Sequence, residues 1–383
     1  MKVIIAPDSF KSSLSSQRCA SALAKGILSV APDCTVVSVP LADGGEGTVD
    51  SLVLQGFEAR EGLAPDAHGI PRSVRSAWSG TTAVIESSQA CVFVPGSSAE
   101  DALRASSNGV GVMISAALDH NASEIMLTVG GTACSDGGKG MLEELGVSFL
   151  DVKGKPLTPG GGSLKDLASV ELGGLDPRVC RISLRLLSDV VNPLLGPTGA
   201  AEVFGPQKGA DGPAVAEIEQ GLAKLASLLG PEKASSEGAG AGGGLGFAAM
   251  AALGARQESG ALTMINLVGL EAHVKSADLV ITGEGSFDSQ SVNGKLTGRV
   301  LALAAGHGVP SIVVCGIESL SENDRGEHLT VDSVVPLSLW EPNRELSITN
   351  AETLLEKSGK HVGMLVSESR LSPASKISQD PLP

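Results

Sequence analysis

Short apolar segments that lead into a loop rich in glycine or acidic residues, and from there into a helical segment, recur along this chain. The pattern is clearest at residues 2–6, 35–39, 124–129 and 278–282, each of which ends in such a loop. A strand followed by a loop and a helix is the repeating unit of a parallel sheet covered by helices. The repetition therefore predicts an α/β fold.

The repeating unit is most regular toward the two ends of the chain. From about residue 63 the sequence changes to proline, glycine and isolated short strands, followed by a helical pattern near residues 99–118. This change predicts two domains, one built from both chain ends and one inserted between them, with crossings near residues 65–80 and 270–285. Residues 371–383 are rich in serine and proline without periodicity, which is typical of a disordered tail.

The composition limits the partners of the chain. The formal net charge is −15 at pH 7 and aromatic residues make up 2% of the sequence, so a nucleic-acid backbone would be repelled and base-stacking side chains are scarce. No apolar run reaches the roughly 20 residues that a membrane-spanning helix needs. We therefore expect neither nucleic acid nor a membrane as a partner.

The cysteines and the N-terminus favour a cytoplasmic location. The six cysteines form no CxxC pair and no Cys/His cluster with zinc spacing, which fits a reducing compartment. The apolar stretch at the N-terminus is broken by Pro7 and Asp8 and is too short for the apolar core of a signal peptide. The sequence leaves the oligomeric state open, a homo-oligomer included.

Residues capable of chemistry are concentrated in the loops that follow predicted strands. In open α/β sheets such loops meet at the carboxyl edge, where ligands bind. Glycine lets backbone N–H groups approach a phosphate, carboxylates can hold Mg²⁺ or accept a hydroxyl proton, and lysine supplies positive charge. Five loops carry these residue types and together predict a phosphoryl-transfer site: residues 8–11, 43–47, 130–138, 189–192 with 207–209, and 283–295.

Asp189 has three open interpretations. It follows an apolar strand and precedes Asn192-Pro193, a turn that would hold its carboxylate at the sheet edge. There it can accept the proton of a substrate hydroxyl, ligate Mg²⁺ or cap the turn. Lys11 and Lys208 are predicted to contact anionic substrates, because a chain of net charge −15 needs local cations.

Other nucleotide and nucleophile motifs are weak. Residues 238–243 match GxGxxG, but no predicted strand precedes them, which disfavours a nicotinamide-dependent dehydrogenase. The P-loop pattern GxxxxGK[ST] does not occur, and no histidine lies in the five loops. A non-catalytic anion-binding module built on the same loops is a third interpretation.

At these loops the chain resembles the type I glycerate kinase family, the bacterial glycerate 2-kinases. The resemblance covers residues 1–360. The chain departs from it at Ser12, where the family more often has Gly, at Ser135, where it more often has Asn, and at residues 286–288, which read Ser-Phe-Asp where it more often has Arg-Leu-Asp. The matching blocks are APDSFKSSLS (6–15), PLADGGEGT (40–48), VGGTACSDGGKGML (129–142), SDVVNPLLGPTGAAEVFGPQKGA (188–210), GAGAGGGLGFA (238–248) and LVITGEGSFDSQSVNGK (279–295).

The resemblance implies a fold and an activity. The expected fold is a flavodoxin-like domain of residues 1–70 and 285–370, with an α/β domain of residues 71–284 inserted. The expected reaction is the phosphorylation of D-glycerate by ATP with Mg²⁺ in the cleft between the domains. The expected product is 2-phosphoglycerate, with 3-phosphoglycerate as the alternative.

The resemblance and the loop residues together suggest individual roles. Three residues are expected to be catalytic: Asp189, Lys11 and Asp288. Two are expected to bind the metal ion: Asp189 and Glu284. The expected substrate-binding residues are Asp8, Ser9, Asp43, Glu46, Lys208 and Lys295. The expected nucleotide-binding residues are Gly130, Gly131, Thr132, Asp136, Gly283, Glu284 and Gly285.

Overall fold

The structure, a computed structural model, describes residues 1–11, 13–292, 294–320, 331 and 333–367. The tail predicted at residues 371–383 lies outside the described residues. The strands are β1 (Lys2–Ile5), β2 (Thr35–Ser38), β3 (Glu58–Pro65), β4 (Pro71–Ser79), β5 (Thr82–Glu86), β6 (Glu124–Thr128), β7 (Ser148–Leu150), β8 (Ser169–Glu171), β9 (Ser183–Leu187), β10 (Arg256–Glu258), β11 (Leu279–Phe287), β12 (Ser311–Glu318) and β13 (Ser333–Pro336).

The helices alternate with these strands. They are α1 (Ser16–Val30), α2 (Thr48–Leu54), α3 (Ala99–Arg104), α4 (Asn108–Asp119), α5 (Lys139–Glu144), α6 (Ala200–Phe204), α7 (Gly212–Leu229), α8 (Leu245–Ala252), α9 (Gly260–Leu267), α10 (Leu270–Val274), α11 (Ser289–Val292), α12 (Leu296–Gly306), α13 (Arg344–Thr349) and α14 (Ala351–Ser367). None of these helices, all within the described part of the chain, has the length and apolar character of a membrane span.

The chain divides into two compact units. The first comprises the described residues of Met1–Asp43 and Ala261–Pro383, and the second comprises Gly44–Gly260. These limits differ from the predicted boundaries at 70/71 and 284/285. The reason is strand pairing, since β3 pairs with β4 and β4 with β5, whereas β11 pairs with β1. The proline- and glycine-rich sequence after residue 63 is therefore part of a hairpin inside the second unit.

The sheet of the first unit is parallel throughout. Its strand order is β2-β1-β11-β12-β13, which is the 2-1-3-4-5 order of flavodoxin-like folds. Val3 of β1 lies between Val36 of β2 and Leu279 of β11. Val3, Ile4 and Ile5 are all buried, because a strand inside a parallel sheet is covered on both faces. The strand order reverses between β1 and β11, and such a switch point opens a crevice at the carboxyl edge.

Helices cover both faces of this sheet. Helices α1 and α14 share an apolar cluster with β1, β11 and β12, and α12 packs in a separate cluster that contains Leu301. A Cβ atom at Gly26 would lie 2.1 Å from the carbonyl oxygen of Glu356, and one at Gly359 would lie 2.3 Å from that of Leu23. Glycine at both positions therefore lets the backbones of α1 and α14 come into contact.

The second unit contains a mixed sheet. In the described residues β10, β9, β6 and β5 run parallel, and β4 and β3 extend the sheet in antiparallel pairs. Residues 99–118, predicted as one helical pattern, form α3 and α4 with a break between them. The break occurs because the backbone N–H and the hydroxyl of Ser107 both donate to the carboxylate of Asp136.

Candidate active site

A cavity of about 410 Å³ opens at the carboxyl edge of the first unit's sheet. The loops after β1, β2 and β11 meet there, and the start of α12 and the segment after β13 complete the wall. A cavity of this size suits a small organic ligand. The predicted site residues that line it are Asp8, Ser9, Lys11, Asp43, Glu284, Gly285, Asp288 and Lys295.

Asp8 is a buried acid surrounded by further acids. Its backbone N–H donates to the carbonyl oxygen of Gly283 at 2.8 Å, which ties the loop after β1 to β11. The residue is 8% exposed, and its Oδ1 accepts the N–H of Ser9 at 2.6 Å. Burial, followed by the negative charges of Asp43 and Glu284, raises the pKa of Asp8 to about 8. Asp8 can therefore take up or release a proton near neutral pH.

Lys11 brings positive charge to the same cavity. Its Nζ lies 3.6 Å from Oδ2 of Asp43, and its side chain is 78% exposed. The Asp43 carboxylate raises the pKa of the Lys11 ammonium, so Lys11 is charged at neutral pH. An exposed ion pair of this kind contributes little to stability. The Lys11 side chain can consequently turn from Asp43 to an anionic ligand at little cost.

Glu284, near the carboxyl end of β11, has a carboxylate oxygen with an unmet hydrogen bond. Its Oε1 is buried, and no group in the described ranges bonds to it. Burial raises the pKa of this carboxyl, while the nearby hydroxyls of Thr297 and Ser291 and the charge of Lys295 act in the opposite direction. A buried acceptor without a donor is costly, so a cation or a donor group placed here would be stabilised.

Asp288 and Gly283 both make contacts that hold the loop itself. Oδ1 of Asp288 accepts the N–H groups of Gln290 at 2.9 Å and Ser291 at 3.2 Å, which caps α11, although the residue also lines the cavity. Gly283 is buried, and a Cβ atom there would lie 1.8 Å from the carbonyl oxygen of Val314 on β12. Strand packing alone therefore requires glycine at position 283.

The predicted residues Gly130, Gly131 and Thr132 lie in the second unit, at the end of β6. A Cβ atom at Gly130 would lie 2.8 Å from the Cα atom of Gly45, so this loop packs directly on the loop that carries Glu46. Thr132 is buried, whereas Glu46 is exposed. The structure thus brings two of the glycine-rich loops together at the carboxyl edge of the second sheet.

Asp136 lies inside the second unit and not on its surface. Its carboxylate is fully buried and accepts the N–H and hydroxyl of Ser107 at 2.8 and 2.9 Å. It also accepts the N–H groups of Gly138 and Gly140, both at 3.1 Å. This differs from the predicted contact with a nucleotide, because the carboxylate joins the starts of α4 and α5 instead.

Lys208 is also buried, contrary to the predicted contact with substrate. The residue is 5% exposed, and its Nζ donates to the carbonyl oxygen of Cys134 at 2.6 Å. Burial lowers the pKa of this ammonium. The side chain therefore fastens the glycine loop after β6 from within the unit.

Asp189 follows β9 on the surface of the second unit. It is exposed, and its Oδ1 accepts the hydroxyl of Ser259 at 2.6 Å. Its role as base, metal ligand or turn former stays a prediction.

The glycine run at residues 238–246 is tightly packed. A Cβ atom at Gly243 would lie 2.1 Å from the carbonyl oxygen of Cys134, and one at Gly246 would lie 2.1 Å from that of Gly238. The run follows a 3-10 turn at Pro231–Lys233 and no strand leads into it. Packing explains these glycines, so the match to GxGxxG does not indicate a dinucleotide site.

Comparison with known proteins places the chain in a family. The profile of the glycerate kinase family matches residues 3–367. The chain belongs to the glycerate kinase family. Its family membership and its α/β fold, both predicted from the sequence, are thereby confirmed.

Relatives of this glycerate kinase align over most of its length. It is 40% identical to the glycerate 2-kinase of Escherichia coli (strain K12) over 328 residues, which is 82% of this chain and 85% of that protein. It is 40% identical to the glycerate kinase of Bacillus subtilis (strain 168) over 340 residues, which is 86% of this chain and 88% of that protein. A crystal structure of a Salmonella typhimurium LT2 protein assigned as glycerate kinase 2 has a TM-score of 0.78 and 33% identity, covering 97% of this chain and 100% of that one.

The oxygen donors at the cavity of this glycerate kinase fit an Mg²⁺ ion that is also bound by the substrate phosphates. The described residues include no group of three His, Cys, Asp or Glu side chains that could hold a metal ion by themselves. Mg²⁺, however, is commonly bound by one or two carboxylates together with waters and substrate phosphates. Glu284, with its buried and unpartnered Oε1, is a hard oxygen donor of this type at the cavity.

Sequence reasoning missed Thr297 and Arg344, both of which line the cavity of this glycerate kinase. Thr297 follows Gly294-Lys295 at the start of a helix, and that position was the available signal. Arg344 begins α13 in a segment without a glycine loop, so no sequence pattern indicated it.

Proposed function

We propose that this glycerate kinase transfers the γ-phosphoryl group of ATP to the 2-hydroxyl of D-glycerate with Mg²⁺, and that the first unit's cavity binds the reacting groups. The observation that carries the proposal is the meeting of Asp8, Lys11 and Glu284 at the carboxyl edge of a flavodoxin-like sheet. Family membership supports the choice of glycerate, and the name of the Escherichia coli relative supports the 2-hydroxyl.

The transfer needs a group that accepts a proton. The hydroxyl oxygen of glycerate forms a bond to the γ-phosphorus, the bond from that phosphorus to the leaving ADP oxygen breaks, and the hydroxyl proton passes to a base. Asp8 suits this role because it lines the cavity and its pKa is raised to about 8, near the pH at which a base works best. Asp189 is the other base that the sequence predicts.

The transfer also needs positive charge, because both substrates are anions and the chain carries a net charge of −15. Lys11 and Lys295 supply it at the cavity, where they can hold the glycerate carboxylate and the phosphate oxygens. Glu284 would hold Mg²⁺, which when bound neutralises charge on the phosphate oxygens.

The function is tested by mixing the purified protein with D-glycerate, ATP and MgCl₂, measuring ADP release and recording the phosphorus NMR spectrum of the product. We expect ADP release that depends on glycerate and a single signal from 2-phosphoglycerate. Formation of 3-phosphoglycerate would contradict the position of transfer, and ADP release that ignores glycerate would contradict the substrate.

The base is tested by comparing Asp8→Asn with Asp189→Asn, with the exposed Asp33→Asn as control. Replacement of the base should lower turnover by roughly 10²- to 10⁴-fold while ATP still binds. Turnover of Asp8→Asn near that of the wild type would exclude Asp8. A loss in Asp189→Asn that raised Mg²⁺ restores would move Asp189 to the metal site.

A further inference from the structure

The first turn of α12 faces the cavity. Lys295, Leu296 and Thr297 all line it, and Lys295 is the residue that precedes the helix. No side chain of the described residues caps this turn. The first N–H groups of a helix have no acceptor within the helix and carry partial positive charge, so an uncapped start that opens on a cavity suits an anion.

Thr297 provides an independent observation at the same place. The residue is 1% exposed, and its buried Oγ1 has no partner at normal hydrogen-bond geometry in the described part of the chain, although it lies near enough to the Glu284 carboxyl to act on the pKa of that group. A buried hydroxyl without a well-formed hydrogen bond is unfavourable for the protein alone. Its presence in the cavity wall, on a turn that no side chain of the described residues caps, indicates a ligand atom that accepts a hydrogen bond.

The turn is held in position by the glycines on either side of it. Gly294 has a φ of 117°, a backbone conformation that favours glycine. A Cβ atom at Gly298 would lie 2.4 Å from the carbonyl oxygen of Ser291, so α11 packs directly against the start of α12. The turn is therefore fixed beside the loop that follows β11, where the acids of the site lie.

We propose that this turn binds the phosphoryl group that is transferred, both as the γ-phosphate of ATP and as the phosphate of the product. Lys295 and the N–H groups supply positive charge, and the Thr297 hydroxyl donates a hydrogen bond to a phosphate oxygen. The inference rests on the proposed function and adds Thr297 to it as a residue that touches the transferred group.

Glu284 is the group that opposes a phosphate here, because it lies next to Thr297 and is itself an acid. The charge of Lys295 acts on the same carboxyl and offsets part of this repulsion. A cation held by Glu284 would convert the remaining repulsion into attraction, which is how phosphate sites with nearby carboxylates commonly work.

The test compares Thr297→Val, which keeps the shape and removes the hydroxyl, with Thr297→Ser, which keeps the hydroxyl. The matched control is Thr349→Val on α13, an exposed position whose hydroxyl bonds to the carbonyl of Glu345. Calorimetry measures the dissociation constants of ATP, 2-phosphoglycerate and D-glycerate, each at fixed Mg²⁺. Thr297→Val should weaken binding of the two phosphate ligands by roughly 10- to 100-fold and leave D-glycerate unchanged. Thr349→Val should bind all three ligands like the wild type, and Thr297→Ser, which keeps the hydroxyl, should restore most of the phosphate binding that Thr297→Val loses.

Three results would overturn the inference. The first is that Thr297→Val binds ATP and 2-phosphoglycerate as tightly as the wild type. The second is that its affinity for D-glycerate falls by the same factor as its affinity for the phosphate ligands. The third is that a higher Mg²⁺ concentration restores the lost affinity, which would make the hydroxyl a metal ligand. Thermal melts show whether the variant folds. If it does not, Lys295→Gln must weaken the binding of ATP and 2-phosphoglycerate more than that of D-glycerate for the inference to stand. Failure of the wild type to phosphorylate glycerate would instead contradict the proposed function. In that case, phosphorus NMR titration of the wild type and Thr297→Val with inorganic phosphate would still test whether the first turn of α12 binds a phosphate group.

Discussion

Asp8 is a buried acid beside two further acids, and this environment links its charge to the stability of the fold. Its pKa rises from 3.8 to about 8 on folding, so between these pH values the folded protein holds a proton that the unfolded chain has released. Stability should therefore fall as the pH rises from 3.8 through about 8. Asp8→Asn removes this dependence, and we expect its melting temperature to exceed that of the wild type more at pH 9 than at pH 5, while its turnover falls. Melting curves across this pH range measure the effect, and a difference that is the same at both pH values would contradict it.

The sequence predicts the same role for Lys11 and Lys208, but the two lysines differ in solvent exposure. The side chain of Lys11 is 78% exposed, whereas Lys208 is 5% exposed and bonds to the carbonyl of Cys134. Lys11→Ala should raise the Michaelis constants or lower turnover without changing the melting temperature. Lys208→Ala should lower the free energy of unfolding by about 1–3 kcal/mol, because it leaves a cavity and a buried carbonyl without its donor.

Denaturation curves measured beside steady-state kinetics separate these two effects. If Lys208→Ala is as stable as the wild type and only its substrate binding is weaker, the result would support the predicted contact with substrate and contradict the structural role of Lys208.

Helices α4 and α5 begin at the same carboxylate, that of Asp136, which accepts four donors. Asp136→Ala would leave these donors buried and unpaired, so we expect a loss of about 3 kcal/mol or more in the free energy of unfolding. Asp101→Ala, at the exposed capping box of α3, is the control and should cost about 1 kcal/mol. Urea denaturation compares the two variants. A similar small loss for both would show that Asp136 is not the junction of these helices.

At the level of the whole molecule, the sequence predicted those features of the fold that depend on local sequence patterns. The alternation of strand, loop and helix predicted the parallel sheet of the first unit, and the loops after β1, β2 and β11 do meet at one cavity. The unit limits were missed because the hairpin of β3 and β4 has the same proline and glycine content as a linker. The burial of Asp136 and Lys208 was missed because an acid or a lysine in a glycine loop looks the same whether the loop faces solvent or packs against a neighbouring helix.

The charge of the whole molecule leads to a prediction about metal dependence. The chain carries a net charge of −15, Asp8, Asp43 and Glu284 meet at the cavity, and the proposed substrates are anions as well. Lys11, Lys295 and Arg344 also line the cavity, but they do not balance these acids and two anionic substrates together, so we expect activity to depend strictly on Mg²⁺ or Mn²⁺. Glu284→Gln should raise the metal concentration that gives half-maximal ADP release, and it should weaken Mn²⁺ binding measured by electron paramagnetic resonance in the presence of ATP. Since the wild-type carboxyl is buried with a raised pKa, the variant should be at least as stable as the wild type at neutral pH, which excludes unfolding as the cause. Full activity in excess chelator would contradict the metal dependence, and unchanged Mn²⁺ binding by Glu284→Gln would remove Glu284 from the metal site.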